Sequence, residues 1–271
     1  MVERLQPATV AELAAAIAGS EGPLEILGQG SKRGFGRPVQ AERTLDLSRL
    51  TGVTLYEPDE LVMTAGAGTP LREIEARLSA SRQILAFEPP DLGLLYGHPP
   101  GQATLGGIIA CNLSGPRRIK AGAVRDYVLG CTLANGRGEI VKTGGRVMKN
   151  VTGYDLCKLL TGSFGTLAAL AEATIKVLPA PEEVRTLAIR GLDDAAAVLA
   201  MNKALSGAED VTGAAHLPRE AGVRTLLKAL DGAVTLLRLE GTAASVSHRL
   251  ANLQQELGDK GIVLVDGYWV V

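Results

Sequence analysis

An α+β protein in two parts is what the 271 residues predict, on three observations. Residues 1–180 alternate short helix and strand signals with glycine-dense loops, Pro179 and Pro181 interrupt that pattern, and six further signals follow. Those six run strand, helix, strand, strand, helix, strand, the split ferredoxin-like order. The reading is a first domain over 1–180 and a small ferredoxin-like domain over 181–271. The chain stops at Val271, just after the last predicted strand, with Trp269 and Val270 still apolar. The second domain is therefore expected to be reduced or cut short.

The elements follow from local chemistry. Thr9-x-x-Glu12 is a capping box, after which Val10, Leu13, Ala14 and Ile17 share one helical face. A strand over Leu24 to Leu27 runs into Gly28-Gln-Gly-Ser-Lys-Arg-Gly-Phe-Gly36, and strands around Thr44 to Leu47 and Leu61 to Thr64 lead to Gly66-Ala-Gly68. Thr69 is a suitable N-cap with Pro70 in the first helical position, and Leu71, Ile74 and Leu78 make the apolar stripe. Residues 86–122, rich in Pro and Gly, read as ordered coil of the kind that lines a site. Asn135-Gly136 joins strands over Val128 to Leu133 and Glu139 to Lys142 as a hairpin. A short helix from Tyr154 to Leu160, closed by Gly162, precedes a strand over Thr174 to Leu178. In the second part the strands are Arg185 to Ile189, Val211 to Leu217, Val234 to Leu239 and Ile262 to Val265, with helices Asp194 to Leu205 and Ser245 to Leu257.

Composition narrows the function. With 46% hydrophobic residues the chain can build a core, and 28 Lys+Arg against 29 Asp+Glu leave no basic footprint for nucleic acid. No nucleic-acid partner is expected, and no stretch approaches the length of a membrane span. Cys111, Cys131 and Cys157 form no CxxC pair and have no His at ligand spacing, so they read as reduced thiols and no metal site is expected. The functional signal lies in 33 glycines, the residues that let a backbone approach a ligand closely.

Several readings compete for Gly28 to Gly36. A dinucleotide fingerprint needs a third glycine where Arg33 stands and a helix that Pro38 forbids; a P-loop needs a Gly-Lys-Ser/Thr that is missing. An ordinary turn and an anion-binding nest of successive backbone N–H groups, free of any helix dipole and helped by Ser31 and Lys32, both remain.

Taken together, Gly28-Gln-Gly-Ser-Lys32, Ala103-Thr-Leu-Gly-Gly107, Leu113-Ser-Gly-Pro-Arg-Arg118, Gly122-Ala-Val-Arg-Asp-Tyr-Val-Leu-Gly130, Val147-Met-Lys-Asn-Val-Thr-Gly-Tyr-Asp155 and Gly162-Ser-Phe-Gly-Thr-Leu167 resemble the vanillyl-alcohol oxidase family. The match covers residues 1–180 in order and is most like the FAD-binding subunits of glycolate oxidases. The resemblance implies a PCMH-type FAD-binding domain of two subdomains. It also implies placements. Gly28, Gln29, Gly30, Ser31 and Lys32 would hold the pyrophosphate; Thr104, Leu105, Gly106 and Gly107, with Asn112, Ser114 and Gly115, would pass beneath the flavin and ribityl chain. Gly122 to Asp126 would continue that wall, Gly165 and Thr166 would bracket the adenine side, and Ile175 would offer main-chain hydrogen bonds. The loop holds Gln29 and Ser31 and no His, so FAD is expected to be non-covalent.

Substrate contacts are thinner. His98, in the coil that faces the flavin in the family, and the pair Arg117 and Arg118, able to hold a carboxylate or phosphate, are candidates, each with a plain packing or solvated alternative. His216 and His248 read as packing residues, and no catalytic base is identified. The resemblance implies oxidation of a small 2-hydroxy acid such as glycolate, with electrons passing to a related larger FAD subunit and an iron–sulfur subunit of a heteromeric complex. The N-terminus has no basic segment followed by an apolar run, so a cytoplasmic address is expected, with docking to the inner face of the membrane through a partner left open. Three readings stay open: a subunit with its own catalytic flavin, a non-catalytic flavin-binding or scaffolding subunit, and an NAD-dependent dehydrogenase. The missing third glycine argues against the last.

Overall fold

The computed structural model describes residues 3–146, 153–222, 232–258 and 262–266. The chain divides into two compact units, 1–115 with 123–179 and 116–122 with 180–271.

In the first unit, β1 (Glu3–Leu5), α1 (Val10–Ala18), β2 (Leu24–Leu27) and β3 (Arg43–Asp46) make a parallel three-stranded sheet in the order β1-β3-β2 with α1 as crossover. Thr9 Oγ1 accepts from Glu12 N at 3.1 Å, while the Glu12 carboxylate accepts from Ala8 N at 2.8 Å, one residue earlier than an ideal box. Leu13, Ala14 and Ile17 are buried against Leu45, Leu47, Ala134, Ala169 and Ala171. The last three come from a second sheet. It is antiparallel and built from β4 (Val53–Glu57), β5 (Val62–Gly66), β7 (Val128–Asn135), β8 (Ile140–Gly144) and β9 (Ala168–Lys176) in the order β4-β5-β9-β7-β8. Helix α2 (Leu71–Ala80), the β6 (Gln83–Ile84) and β10 (Leu178–Pro179) pair, α3 (Leu105–Cys111) and α5 (Leu156–Leu160) complete the unit; α4 (Arg118–Ala121) belongs to the second. The Asn135 turn closes as a three-residue loop, with Gly138 left-handed at φ +74° and its N–H on Asn135 O.

Two expectations need correction, and two strands went unread. The stretch 86–122 is not coil throughout, for it contains a 3₁₀ turn over Leu92–Tyr96 and helices α3 and α4. Thr69 does not cap α2: Pro70 is the N-cap, and Thr69 Oγ1 instead accepts from Gly52 N at 3.0 Å, tying α2 to the turn before β4. Strands β1 and β4 carried no periodic signal, being short and half-exposed.

The second unit contains β11 (Glu183–Arg190), α6 (Asp194–Ser206), β12 (Gly213–Leu217), α7 (Arg219–Gly222), β13 (Val234–Gly241), α8 (Ala243–Leu257) and β14 (Ile262–Asp266). Its antiparallel sheet runs β12-β13-β11-β14, which is the ferredoxin-like order. Residues 147–152, part of one glycine-flanked motif, and Trp269 and Val270 lie outside the described residues. One face of the sheet, with Leu187, Ile189, Leu237 and Leu239, joins Ala204, Val246, Leu250 and Leu253 of α6 and α8 in a core. The opposite face carries Thr186, Leu236, Arg238 and Glu240, all buried. Buried charge there is neutralised by pairing: Arg238 Nε lies 2.9 Å and Arg117 Nη2 3.0 Å from the Glu240 carboxylate. That pair fixes α4 to this unit.

Two predictions follow from these buried charges. Asp46, fully buried, is opposed in its ionisation first by desolvation, yet donors from Ser48 N–H, Gln6 and Arg4 outweigh it and hold the carboxyl below its usual range. Its folded value being depressed, the stabilisation is present above the unfolded pKa and fades as pH falls through the folded one. Urea unfolding of Asp46→Asn should therefore lose part of the wild-type stability decline below about pH 4. Replacing Glu240 by Gln removes the carboxylate that faces two buried guanidinium groups and is expected to cost about 3–5 kcal/mol, read from denaturant unfolding of the second unit. A loss under about 1 kcal/mol would mean that the pair is solvated.

Candidate functional site

Three segments of the first unit meet at one concave face. The first is the loop after β2. Gly30 is left-handed at φ +78°, Arg33 N bonds Gly30 O and Phe35 N bonds Lys32 O, so the chain turns on itself directly after the strand. Arg33, standing where a dinucleotide fingerprint has glycine, braces the loop through two bonds of 2.8 and 2.9 Å to Glu25 of β2. Ser31 is buried, and Lys32 Nζ sits 3.4 Å from its hydroxyl.

Helix α3 supplies the second segment. Thr104 Oγ1 accepts from Gly107 N at 3.4 Å as its cap, Leu105 N bonds Thr69 O at 3.0 Å and Gly106 N bonds Ala67 O at 2.8 Å. The first turn of α3 is thus sewn to the turn after β5. That approach requires glycine: a Cβ on Gly106 would stand 2.7 Å from Ala67 Cβ, and one on Gly28 would stand 2.6 Å from Thr104 Oγ1. The loop after β2 therefore abuts the start of α3, a helix in a stretch read from the sequence as coil.

The third segment hangs on the far end of the same helix. Gly162 N and Phe164 N donate to Ile109 O and Ala110 O at 3.0 and 2.8 Å, using carbonyls that a helix end leaves open. Phe164 is left-handed at φ +55°, and its ring stacks on Phe35 with centroids 5.9 Å apart and planes 20° apart. Backbone strain at a non-glycine residue of this kind concentrates at ligand sites.

Between the segments lies a cavity of about 670 Å³, a size suited to a cofactor. Gly28, Gln29, Gly30, Ser31, Lys32, Thr104, Gly107, Cys111, Phe164, Gly165 and Thr166 line it. An apolar slot of about 90 Å³ continues inward past Leu27, Ala67, Gly106, Ile109, Leu133 and Leu160. Burial pushes the Lys32 ammonium below its ordinary value, and the neighbouring Cys111 and Asp91 partly offset this. Burial raises the Cys111 thiol, which Lys32 partly opposes. A half-buried cation, a hydroxyl and close backbone suit an anionic group, while the slot suits a flat apolar ring.

The remaining expected residues sit elsewhere. Leu105 is fully buried in the core, and Asn112, left-handed at φ +51°, caps α3 and accepts from Arg125 N at 3.1 Å. Ser114 accepts from Val124 N at 3.1 Å, Gly115 bonds Phe87 O and packs on Glu88, and Asp126 accepts from Ala123 N at 2.8 Å. None of these residues is among those lining the two parts of the cavity. Ile175 is buried in the centre of the five-stranded sheet, paired with Met63 on one side and Val128 on the other, so its main chain serves the sheet. Gly122, Arg117 and exposed Arg118 belong to the second unit, with Arg117 on Glu240. His98 sits in the loop whose two ends Asp91 gathers, accepting from Gly93 N and Gly101 N, and lines no part of the cavity. His216 is held by Thr235 at 2.9 Å and Asp194 at 3.2 Å. Sequence reasoning missed Phe35, Phe164 and Cys111 as lining residues; the apolar exposed aromatics in glycine loops were the available signal.

The chain belongs to the FAD binding domain family, whose model matches residues 4–144. FAD is the cofactor of that family, and the cavity's glycine-lined cradle and cation fit it. Among proteins of known name, the chain is 50% identical over 159 residues to the glycolate oxidase subunit GlcE of Escherichia coli K12, covering 59% of this chain and 43% of that one. It is 37% identical over 147 residues to a D-lactate dehydrogenase of Anaerostipes hadrus, covering 54% and 29%. The chain spans less than half the length of either relative. A solved alkyldihydroxyacetonephosphate synthase superposes with a TM-score of 0.75 at 19% identity, over 97% of this chain and 52% of that one, a likeness of fold. No helix among the described residues is long and apolar enough to cross a membrane.

The contact between Gly28 and Thr104 gives a direct check. Gly28→Ala must turn Thr104 away from Gly107, and the loss of the α3 cap is expected to cost about 1 kcal/mol in thermal or urea unfolding. Gln29→Ala, one residue along and exposed, should leave the transition within about 0.5 kcal/mol of wild type.

Proposed function

We propose that the chain is the flavin-binding subunit of a complex that oxidises a small 2-hydroxy acid, glycolate first, with FAD held non-covalently in the cavity between the Gly28 loop, α3 and the Phe164 loop. The observation that carries this is the joint lining: a cation, a buried hydroxyl and glycine backbone at the wide part, and an apolar slot beside them. The names of the two relatives supply the substrate class, both glycolate and lactate being 2-hydroxy acids.

When bound, the flavin supplies the two-electron acceptor chemistry. The chain's own residues bind and orient. Lys32 and Ser31, with the loop's N–H groups, hold the diphosphate, and Gly107 keeps α3 clear of Lys32, whose Nζ would lie 3.3 Å from a Cβ there. Thr104, Gly106 and Gly107 let the backbone pass against the cofactor, and Gly165 and Thr166 close the other wall. The raised Cys111 thiol stays protonated and weakly nucleophilic, which together with the absence of His from the loop supports non-covalent attachment. Electrons leave through a partner: the chain has three cysteines, short of the four that iron–sulfur clusters take. A larger FAD subunit and an iron–sulfur subunit are the proposed partners, placing the chain at the cytoplasmic face of the membrane through them.

A specific observation favours a second version. Among the described residues that line the cavity, none is His or Tyr. A flavin bound here without a resident base suits a subunit whose substrate is oxidised only once a partner is present.

Acid precipitation of the yellow protein should release FAD into the supernatant; colour kept in the pellet would mean a covalent link, and a colourless chain that takes up no FAD would overturn the reading. Lys32→Met should weaken FAD binding roughly tenfold to a hundredfold by titration calorimetry, from about 1.5–3 kcal/mol for a hydrogen bond to a charged group. Anaerobic addition of glycolate to the isolated chain separates the two versions. Bleaching without a partner supports a catalytic flavin, and bleaching only after reconstitution supports a flavin-holding role.

A further inference from the structure

Two aromatic rings at the cavity have no part in the function proposed above. Phe35 and Phe164 are the aromatic side chains among the described residues that line it. They come from different segments, the loop after β2 and the loop after α5, and meet with ring centroids 5.9 Å apart and planes 20° apart. Each stays open to water, Phe35 at 39% and Phe164 at 56%. A stacked pair that buries neither ring removes little apolar surface from water, so its own stability does not account for the arrangement.

Both rings are presented by a held backbone. Tyr96 packs on Gly34, where a Cβ would stand 2.5 Å from the tyrosine ring, and Phe35 N bonds Lys32 O at 2.9 Å. Phe164, left-handed at φ +55°, is fastened by its N–H to Ala110 O at 2.8 Å, and a Cβ on Gly165 beside it would lie 3.3 Å from Ile26 of β2. A left-handed conformation is uncommon for a bulky residue and persists only where the surroundings impose it. Phe164 lines both the wide cavity and the apolar slot, whereas Phe35 lines the wide part alone. The pair therefore stands where the two parts join.

The slot decides which end of the cofactor comes to this junction. None of its described lining residues is ionisable, and Leu27, Ile109, Leu133 and Leu160 are among them. A hydroxy-acid carboxylate finds no charged partner there, and burying it unpaired is costly. The reactive flavin ring, which has to meet such a substrate, therefore belongs outside the slot, and the purine at the other end of the diphosphate belongs in it. Resting on the cofactor reading above, we propose that Phe35 and Phe164 are an aromatic clasp for the adenine of the dinucleotide. The rings part as the purine passes Phe164 into the slot and stack against it once it is seated. A purine offers its π-face to an aromatic ring whatever its edge contacts. Its capture also buries both phenylalanines, which stacking on each other does not achieve.

The full chain, freed of flavin and titrated with FAD and with ADP by calorimetry, tests this. Phe35→Ala is expected to weaken both ligands together, by roughly fivefold to a hundredfold. Phe35→Tyr, which keeps the stacking face, should bind both within about twofold of wild type, and the ligand-free chains should unfold alike because the ring is exposed. Phe164→Leu, on the opposite loop, makes the same comparison independently and should show the same joint loss. FAD binding unchanged in both Phe35→Ala and Phe164→Leu overturns the proposal. So does a loss for FAD that ADP does not share, since the clasp would then sit on the flavin ring. A wild-type chain that takes up neither ligand overturns the cofactor reading itself, a result distinct from the other two.

Discussion

The close approach of backbone to backbone at the start of α3 is the constraint on which the cofactor site depends. Three bonds pin this turn: Leu105 N to Thr69 O, Gly106 N to Ala67 O and Leu71 N to Ala103 O. None involves a side chain, and the approach holds only because Gly106 carries no Cβ to strike Ala67. With α3 fixed at its first turn, Thr104 meets Gly28 and sets one wall. With its last carbonyls turned toward Gly162 and Phe164, the same short helix sets the opposite wall. A helix of seven residues has little intrinsic stability, so its tertiary bonds, not its propensity, hold it in place.

That dependence explains what could be read beforehand and what could not. In the second unit the order of strands and long helices was legible, because its helices carry apolar stripes long enough to register, as in Val246, Leu250 and Leu253 of α8, whereas α7 and the part played by residues 116–122 were not. The glycine loops were legible as sites because glycine density has few other uses. Helix α3 was not. Its sequence, Leu-Gly-Gly-Ile-Ile-Ala-Cys, has two poor helix formers in the first turn and two β-branched residues after them, and every local rule assigns it to coil. The glycines that spoil its propensity are the ones that permit its packing. Asn112, Ser114 and Asp126 belong to the same motifs, and their side chains accept from Arg125 N, Val124 N and Ala123 N, bonds that the motif alone does not announce.

Arg33 shows the opposite case, a departure from a known pattern that the structure makes intelligible. In a βα dinucleotide turn the third glycine lets a helix pack against its strand. Here the chain after Gly30 returns as a loop, and a long side chain is required to hold that loop down. The two bonds from Arg33 to Glu25 do this, while Thr44 on the neighbouring strand also reaches the same carboxylate at 3.2 Å. The glycine-to-arginine exchange therefore follows from the change of architecture.

The second unit balances its charges differently from the first. The cavity leaves Lys32 half-buried with a neutral hydroxyl for its nearest bond, so a cation stands where an anionic group can complete it. On the second unit's sheet, by contrast, Glu240 receives both Arg238 and Arg117 and completes the charge from within. An arginine already satisfied by a buried carboxylate has little to offer a substrate carboxylate, because capturing one would mean giving up an existing pair in a desolvated place. Among the described residues Lys32 has no ion pair of that kind, Asp91 acting on it only from a distance, so an incoming anionic group need displace none. The balance of satisfied and unsatisfied charge thus directs the search for an anion away from Arg117 and toward the loop after β2.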